Sequence, residues 1–577
     1  MLHTLMQSIR EYKRLTILSP ILVVAEAAIE TFIPFLMAAI IDQGIRPGNL
    51  SLVVHVGLLL LVMAMLSLVM GAGASWVSSQ AAAGYAKNLR QDLFYHIQTF
   101  SFQNLDRFST SSLVTRLTTD ITNIQTAYQM LIRIAFRAPS MLIFSIIMAF
   151  TVNAEMAWLF VIVVPFLALG LMLIVSKSRP LFRQVFKRYD QLNRVVRENL
   201  RGIRVVKTYG QQDAETAKFK TASGNIFKVF SKAQRIVALN MPLMQLVINT
   251  TMLLLSWFGA KLIVGQQLEV GQFVSLFSYS TSILFSLNML SMIFSQLSVS
   301  QASAERVVEV LNSDSAIVDK PTALTSVATG DIDFDDVSFR YPDTKTDQLQ
   351  HIDLHIKSGQ TIGIIGETGT SKSTLVELIP RLYDVTAGAV RVAGNDVRDY
   401  DLKTLRDNVS VVLQTTTLFS GTIRDNLKWG DASATDEEIQ HAAKLAQADG
   451  FIQTLPQGYD TLLEQTGQNV SGGQKQRLTI ARALLKHPKI LILDNATSAT
   501  DTNTEAKIWQ AFRNEMPDVT KLIITQRLGG IVDADQILIM AGGRIAAAGT
   551  HRDLLATNEW YRQLYETQTK RGGGQHD

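Results

Sequence analysis

Residues 471–482, SGGQKQRLTIAR, lie a short way upstream of the apolar run ILILD at 490–494. The first stretch places a hydroxyl and small residues directly before a basic helix, and helix N-termini favour anions. We therefore predict an anion site at Ser471, Gly472, Gly473 and Gln474, although SGG alone also fits an ordinary loop. The second stretch is typical of a buried parallel strand that carries Asp494 to its carboxyl end.

A second glycine-containing loop lies further upstream, between the apolar run TIGII at 361–365 and the helical pattern LVELI at 375–379. A strand, a glycine loop and a helix in this order predict a loop that cradles phosphate. Lys372 would reach the β- and γ-phosphates and Ser373 would bind Mg²⁺. We expect ATP to contact the whole loop: Gly366, Glu367, Thr368, Gly369, Thr370, Ser371, Lys372, Ser373 and Thr374.

Ser371 departs from the strict pattern, which has glycine there. A left-handed backbone at this position would cost serine energy, yet we expect ATP binding to survive.

Three further residues are candidates for the same site. Asp494 would hold Mg²⁺ through water, although an Asp-Asn turn after a strand is the alternative. Gln414, after VSVVL at 409–413, would contact the metal and water, and Tyr341 in VSFRYP would stack on adenine. Taken singly, Gln414 also fits a polar loop position, and Tyr341 also fits packing at a strand edge.

These motifs together identify a family resemblance. Residues from about 330 to 570 resemble the nucleotide-binding domain of an ABC transporter, and the whole chain resembles a half-transporter of the multidrug exporter group. The resemblance implies two such domains packed head to tail. Each ATP would lie between the phosphate loop of one chain and residues equivalent to 471–474, the signature loop, of the other. It also implies dimer contacts at Ser498 and Asp501.

Two more positions depart from the family pattern. Hydrolysing members carry glutamate after the magnesium aspartate and a switch histidine after the next strand; this chain has Asn495 and Gln526. An amide cannot accept a proton from water, and glutamine does not titrate. With Ser371, all three changes fall in one site, whereas the signature loop is intact apart from Val470. An engineered Asn495 that traps a bound state is the alternative, which the other two changes disfavour.

The resemblance therefore indicates a heterodimeric ABC exporter. This chain's own phosphate loop would form the non-hydrolysing or slow site, with ATP and Mg²⁺ as cofactors. Its partner would be a second half-transporter with intact glutamate and histidine. Hydrolysis would take place mainly at the partner's phosphate loop, completed by this chain's signature loop.

The first half of the chain is predicted to span a membrane. Apolar segments at about 15–41, 52–75, 130–152, 156–176, 239–263 and 272–298 each approach or exceed the roughly 20 residues that cross a bilayer as a helix. Cations crowd residues 10–14 and 177–207, whereas the connections at 153–155 and 265–269 have none. Cationic loops stay in the cytoplasm, so we predict a multi-pass cell-membrane protein with both termini and the ATPase domain inside. The net charge of +4 then reflects membrane topology and requires no nucleic-acid partner.

The predicted fold class is a membrane bundle of six helices followed by a cytoplasmic α/β P-loop ATPase domain of the ABC type. We assign 1–310 to the membrane domain, 311–330 to a linker, 331–570 to the nucleotide-binding domain and 571–577 to a disordered tail. The stretches 76–128 and 177–238 are interpreted as helices that extend into the cytoplasm. By resemblance, their bends carry coupling residues that dock on the ATPase domains: Asp106, Arg107, Phe108, Gln211, Gln212 and Asp213.

The transported compound is the least determined property. Glu26 and Glu30 lie one turn apart in the first predicted span, so they are candidates for a substrate cavity. A structural polar contact between helices is the alternative. The preferred function is ATP-driven export of hydrophobic or amphipathic compounds, as in multidrug efflux. A lipid or peptide exporter and an ATP-gated, non-transporting regulator are the other candidates. The chain has no cysteine, which excludes disulfides and Cys-based metal sites.

Overall fold

The protein is described here by a computed structural model that covers residues 1–342 and 344–572, without the side chains of 291, 294, 295, 298, 299 and 570–572. The chain divides into two compact units. The first unit consists of Met1–Gln98 and Thr110–Ser313, and the second of Thr99–Ser109 and the chain from Asp314 onward.

The first unit is helical, as its long apolar segments predict. Short π-helical turns at Ile40–Ile45 and Arg116–Asp120 interrupt it. In chain order the helices up to residue 311 are α1 (Leu2–Gln7), α2 (Lys13–Ala39), α3 (Leu50–Gln98), α4 (Phe102–Arg107), α5 (Thr110–Thr115), α6 (Ile121–Ile132), α7 (Ile134–Val152), α8 (Ala154–Arg201), α9 (Ile203–Thr208), α10 (Gln212–Ala238), α11 (Asn240–Val264) and α12 (Val270–Leu311). Of these, α4 belongs to the second unit.

Within the described residues, six helical stretches are long and apolar enough to cross a membrane, which confirms the predicted number of spans. They are Arg10–Ile45, Leu50–Gln98, Thr110–Val152, Ala154–Arg201, Gln212–Val264 and Val270–Leu290. At 1.5 Å per residue, α3 and α8 are each about 70 Å long, more than twice the roughly 30 Å of a bilayer core. Their excess length agrees with the helical extensions predicted at 76–128 and 177–238.

A buried carboxylate joins the first span to the last. Asp42 accepts hydrogen bonds from the backbone N–H groups of Gly271, at 2.6 Å, and Gln272, at 3.0 Å. These donors lie in the first turn of α12 and have no partner inside the helix. Asp42 therefore caps α12 from a distant part of the chain.

The second unit is an α/β structure. Its strands are β1 (Ile332–Phe339), β2 (Leu349–Ile356), β3 (Thr361–Ile365), β4 (Ala387–Val392), β5 (Asn395–Asp396), β6 (Val409–Val412), β7 (Gly421–Thr422), β8 (Leu462–Leu463), β9 (Ile490–Asp494), β10 (Thr520–Ile524), β11 (Gln536–Ala541) and β12 (Arg544–Gly549). Its remaining helices are α13 (Lys372–Glu377), α14 (Leu402–Asn408), α15 (Ile423–Leu427), α16 (Asp436–Leu445), α17 (Asp449–Thr454), α18 (Gly472–Leu484), α19 (Thr502–Glu515), α20 (His551–Thr557) and α21 (Glu559–Gly572).

The strands form a mainly parallel sheet in the order β12-β11-β3-β10-β9-β6 and an antiparallel sheet in the order β2-β1-β4-β5. Every residue of β9 and β10 is buried, which explains the apolar runs ILIL at 490–493 and LII at 522–524. Parallel pairing places Ile524 of β10 beside both Ile364 of β3 and Asp494 of β9. The carboxyl ends of these three strands therefore meet at one edge of the sheet.

The unit boundaries differ in detail from the predicted domains. The main boundary falls after Ser313, and much of the predicted linker packs within the second unit. There, the N–H of Leu324 donates to the carbonyl of Asp399 at 2.8 Å, and Val327 is buried. At the other end α21 continues to Gly572, two residues into the predicted tail 571–577. Residues 573–577 of that tail lie outside the described residues.

Candidate nucleotide-binding site

Four adjacent strands bring the predicted site residues to one edge of the parallel sheet. Gly366 follows β3, Gln526 lies just beyond β10, Asp494 ends β9, and Gln414 lies just beyond β6. These strands are widely separated in sequence but adjacent in the order β3-β10-β9-β6. The structure thus gathers the phosphate loop, both catalytic-position residues and the predicted metal ligands at the edge where α/β sheets bind ligands.

Three residues of the phosphate loop, Gly366, Gly369 and Ser371, have positive φ. Gly366 has φ +152°, and a Cβ there would lie 2.3 Å from the carbonyl oxygen of Met540, so a side chain would clash with backbone. Ser371 has φ +66° and ψ +27°, a left-handed conformation at the residue just before α13. The glycine of the strict motif is therefore replaced where glycine is favoured, at a cost on the order of 1 kcal/mol.

Lys372 points back into this loop. Its Nζ donates to the carbonyl oxygens of Gly366, at 2.9 Å, and Glu367, at 2.6 Å, and lies 3.3 Å from the Thr370 hydroxyl. Burial lowers the pKa of Lys372, and the negative charge of Asp494 opposes that shift. The ammonium therefore lies within the loop predicted to bind phosphates.

Two predicted oxygen ligands, Ser373 and Asp494, lie together beside Lys372. Ser373 donates a hydrogen bond to the Asp494 carboxylate. Burial raises the pKa of Asp494, while this bond and the Lys372 charge act in the opposite direction. A hydroxyl and a carboxylate are hard donors of the kind Mg²⁺ prefers, so the pair fits the expected cofactor. Gln414 is exposed in the loop after β6.

Tyr341 is half-buried among aromatic rings. Its ring centroid lies 4.8 Å from that of Phe339 and 5.2 Å from that of Tyr383, both edge-on. Its hydroxyl lies 3.1 Å from the Thr374 hydroxyl and donates to Glu377 at 3.4 Å. Burial raises the pKa of Tyr341, so the hydroxyl is neutral near pH 7. These contacts agree with the alternative that Tyr341 packs at a strand edge. Adenine stacking by Tyr341 stays a prediction.

Asn495 directly follows β9 in a left-handed conformation, φ +50°. Its backbone N–H donates to the Ile524 carbonyl at 2.9 Å, and its side-chain Nδ2 donates to Asp494 Oδ1 at 3.4 Å. The amide thus faces the predicted metal ligand as a donor. Gln526 is exposed, and its carbonyl accepts a hydrogen bond from Gln568 of α21 at 2.8 Å.

The signature segment has the helix start that its sequence predicts. Ser471 caps α18: its hydroxyl accepts from the Gln474 N–H at 3.3 Å, while Gln474 Oε1 accepts from the Ser471 N–H at 2.8 Å. Gly473 approaches another loop closely, because a Cβ there would lie 2.8 Å from the Ala499 carbonyl oxygen. The segment is therefore packed against the residues that follow β9.

Gln476 holds that following loop and was not identified from the sequence. It is 5% exposed, and its Nε2 donates to Ser498 Oγ at 2.9 Å and, at 3.4 Å, to the Asn495 carbonyl. Its Oε1 accepts from the Ala499 N–H at 2.8 Å. The sequence carries no signal for this role, because the partners lie about twenty positions away on another element.

Arg527 holds the same loop from the side of β10. Its guanidinium donates to the carbonyls of Thr500, at 2.9 Å, and Ser498, at 3.3 Å. Asp501, a predicted dimer contact, caps α19 by accepting from the Thr504 N–H at 2.9 Å. This hydrogen bond holds the pKa of Asp501 below its usual range.

The predicted coupling residues fall into two groups. In the second unit, Asp106 accepts a hydrogen bond from the Tyr383 hydroxyl at 2.7 Å, and the Arg107 guanidinium lies 5.1 Å from the centre of the buried Phe108 ring. Burial first, and then Asp106, raise the pKa of Tyr383 well above its usual range, so this phenol stays a donor. In the first unit, Gln211, Gln212 and Asp213 are exposed at the start of α10.

Glu26 and Glu30 form ion pairs with Arg137, a partner on α7 for which the sequence carries no signal. Arg137 Nη1 lies 2.5 Å from Glu26 Oε1, and its Nη2 donates to both Glu30 oxygens at 2.9 and 2.8 Å. Glu26 is 7% exposed, and a Cβ on Gly71 would lie 2.5 Å from its Oε1. These contacts between α2, α3 and α7 are of the kind that the structural alternative describes, and a place for Glu26 and Glu30 in a substrate cavity stays a prediction.

Comparison with known protein families agrees with this architecture. Residues 16–287 match the family model of the ABC transporter transmembrane region, and residues 349–498 match the ABC transporter family model. The chain belongs to the ABC transporter family and combines its transmembrane and ATP-binding domains.

Relatives extend the match over almost the whole chain. The Bacillus subtilis ABC transporter ATP-binding protein YfiB is 37% identical over 98% of each chain. The probable multidrug resistance ABC transporter YheI of B. subtilis is 33% identical over 84% of this chain and 83% of its own. A bacterial Atm1-family ABC exporter with ATP bound superposes with a TM-score of 0.83 at 25% identity, over 96% of this chain and 99% of that one. The protein is thus a membrane ABC exporter that couples ATP hydrolysis to transport, and its ATPase domain binds ATP, normally with Mg²⁺.

Proposed function

We propose that this chain is one half of a heterodimeric exporter of hydrophobic or amphipathic compounds. Its own phosphate loop forms a slow or non-hydrolysing ATP site with Mg²⁺ held by Ser373, Asp494 and Gln414. The partner is a second half-transporter with an intact catalytic glutamate and switch histidine. The spans lie in the cell membrane, with both termini and the second unit in the cytoplasm.

The contact of Asn495 with Asp494 carries this proposal. The Asn495 amide donates toward Asp494, whereas a water-polarising group must accept a proton. Loss of a general base typically slows a reaction by about 10²–10⁴-fold. Gln526, just beyond the neighbouring strand β10, lacks the titratable ring of the family's histidine, and Ser371 strains the loop that surrounds the phosphates.

The intact signature segment supports the assignment of hydrolysis to the other site. Ser471 and Gln474 order the start of α18, and Gly472 and Gly473 leave its backbone N–H groups uncovered by side chains. In the proposed head-to-tail dimer this helix start faces the partner's nucleotide. Export of hydrophobic compounds is favoured by the similarity to the probable multidrug resistance protein YheI.

The first test compares the isolated chain with the co-purified heterodimer. Because a homodimer would carry Asn495 and Gln526 in both sites, the isolated chain should bind ATP yet turn it over about 10²–10⁴-fold more slowly than the heterodimer. ATP binding and phosphate release are measured on the same preparations in lipid. Turnover by the isolated chain at the rate of the heterodimer contradicts the proposal.

The second test restores the missing groups while the partner's site is silenced. Asn495→Glu should raise single-site turnover only partly, because φ +50° suits asparagine better than glutamate and Gln526 still lacks the histidine ring. Adding Gln526→His should raise turnover by more than the two separate gains combined, since groups that act on one transition state are not additive. Full activity from Asn495→Glu alone shows that Gln526 and Ser371 are neutral variation.

A further inference from the structure

The cytoplasmic ends of two neighbouring spans form an antiparallel hairpin of α8 with α10 and α11. Three contacts set its register in order along α8: Gly170 with Leu243, Phe182 with Phe230, and Asn199 with Glu215. The steps of 12 and 17 residues along α8 are matched by backward steps of 13 and 15 residues along the helical arm formed by α11 and α10. Residues near 180 on α8 therefore lie level with residues near 232 on α10.

This register brings cations from both helices to one level. All are exposed, and within the described residues none pairs with a carboxylate. The chain has no Asp or Glu from 156 to 189 or from 216 to 268, so neither helix supplies a counter-charge at this level. We name these residues the cationic belt: Lys177, Arg179, Arg183, Lys228, Lys232 and Arg235.

The cationic belt begins where the exposed apolar surface ends. Met172 and Leu173 of α8 are 71% and 53% exposed, and Met241, at the matching level of α11, is 71% exposed. Lys177 lies about 35 Å along the helix from the start of α8, just beyond the roughly 30 Å of a bilayer core. An exposed apolar surface of membrane-spanning length is thus continuous with six exposed cations at the level where a bilayer core would end.

We propose that the cationic belt binds anionic phospholipid headgroups of the cytoplasmic leaflet. Charge complementarity and continuity with the apolar surface both favour lipid over protein as the occupant. A second copy of this chain would present the same cations, so charge repulsion disfavours it. Each Lys or Arg near an anionic membrane surface contributes about 1 kcal/mol of attraction. The hairpin supplies no carboxylate at this level to balance the charge of the cationic belt. Bound headgroups neutralise that charge.

The test uses the full chain, alone and with its co-expressed partner, titrated in mild detergent with phosphatidylglycerol or phosphatidylcholine. Retained lipid is counted by native mass spectrometry, and the thermal unfolding midpoint is recorded. The belt variant is Arg179→Gln/Arg183→Gln/Lys232→Gln. The matched control, Arg194→Gln/Arg197→Gln/Arg204→Gln, removes as many exposed cations further along the chain.

Wild type should retain phosphatidylglycerol in preference to phosphatidylcholine and unfold at a higher temperature with it. The belt variant should lose about 10- to 100-fold in phosphatidylglycerol affinity and the control less than twofold. The charge-conserving variant Arg179→Lys/Arg183→Lys should keep the affinity, which separates loss of charge from misfolding. Equal losses in the belt variant and the control overturn the proposal, as does no loss in either. Loss of partner assembly with unchanged lipid affinity also overturns it and identifies a protein interface.

Discussion

Asn495 and Ser371, both at the nucleotide site, have a left-handed backbone conformation. The conformational free energy that this costs differs between the two residue types. Asn495, at φ +50°, is of a type that adopts this region several times more often than most residues. Ser371, at φ +66°, lacks that tolerance, and its side chain makes no capping hydrogen bond to α13. The strain is therefore concentrated in the phosphate loop, where family members have glycine.

Replacement of this serine tests the strain directly. Ser371→Gly should stabilise the second unit by about 1 kcal/mol, since glycine adopts φ > 0 without steric cost. Chemical unfolding followed by an intrinsic fluorescence signal measures the change. Gly369→Ser is the matched reverse control: φ is +87° there and a Cβ would meet open space, so it should lose a similar amount. A Ser371→Gly variant no more stable than wild type contradicts the assigned strain.

At the level of elements, α18 and the segment after β10 hold one loop between them. Gln476 contacts the loop from α18, and Arg527 contacts it from beyond β10. The loop carries Asn495, at the predicted catalytic position, and Ser498 and Asp501, which are predicted dimer contacts. A change at the signature helix therefore has a direct hydrogen-bonded route to the catalytic position of the same chain.

Removal of the Gln476 amide should loosen this loop. Gln476→Ala leaves the Ala499 N–H without its partner, and an unsatisfied buried group costs about 1–3 kcal/mol. Amide hydrogen exchange should quicken at 495–501, while α18 itself stays protected. Gln453→Ala, at an exposed glutamine that reaches only the Asp449 side chain, serves as the control. Unchanged exchange at 495–501 excludes Gln476 as the residue that orders the loop.

The short helix α4 is anchored within the second unit by one tyrosine. The Tyr383 hydroxyl donates to Asp106, and the Tyr383 ring packs edge-on against Phe102 with centroids 6.1 Å apart. Asn104 adds a hydrogen bond to the carbonyl of Asp314 at 2.9 Å. Residues 99–109, which include the predicted coupling residues Asp106, Arg107 and Phe108, are thus held by polar and aromatic contacts.

Two Tyr→Phe variants, at Tyr383 and Tyr459, test the contribution of the Tyr383 hydroxyl to this anchor. Tyr383→Phe should increase proteolysis and hydrogen exchange at 99–109 and reduce substrate stimulation of heterodimer ATPase, at a cost of about 1–3 kcal/mol. Tyr459→Phe removes a similar hydroxyl–carboxylate bond, that to Asp449 at 2.6 Å, elsewhere in the second unit. The control should lose comparable stability without exposing 99–109. If both variants expose the segment equally, the Asp106 contact has no specific anchoring role.

At the scale of the whole molecule, ion pairs join distant parts of the first unit. Arg137 of α7 holds Glu26 and Glu30 of α2, beside Gly71 of α3. Arg116 similarly donates to the Arg306 carbonyl and to Glu309, both on α12. Charges inside apolar surroundings are tolerated when they are paired, so these contacts favour one packing of the helices.

Loss of the central cation should destabilise the first unit severely. Arg137→Ala leaves two carboxylates unpaired, and breaking a buried pair costs about 3–5 kcal/mol. We expect a low folded yield and a lower unfolding temperature in detergent, with recovery when Glu26→Gln and Glu30→Gln are added. Arg133→Ala, which removes a single bond to the Ser75 hydroxyl at 3.1 Å, should have a small effect. A folded and equally stable Arg137→Ala protein shows that the pairs contribute little.

The sequence by itself determined the features that depend on nearby residues. Six apolar stretches long enough to span a bilayer, the glycine loop before α13 and the helix start at Ser471 all follow from local composition and spacing. The departures at Ser371, Asn495 and Gln526 are also visible there, although their proposed consequence rests on the family resemblance.

Tertiary structure decided which distant residues meet. The order β3-β10-β9-β6 brings four motifs to one edge, and packing selects Gln476, Arg527 and Arg137 as partners for residues on other elements. It also assigns residues 99–109 to the second unit. These contacts could not be predicted from periodicity, because a polar side chain has no preferred partner until packing removes it from water.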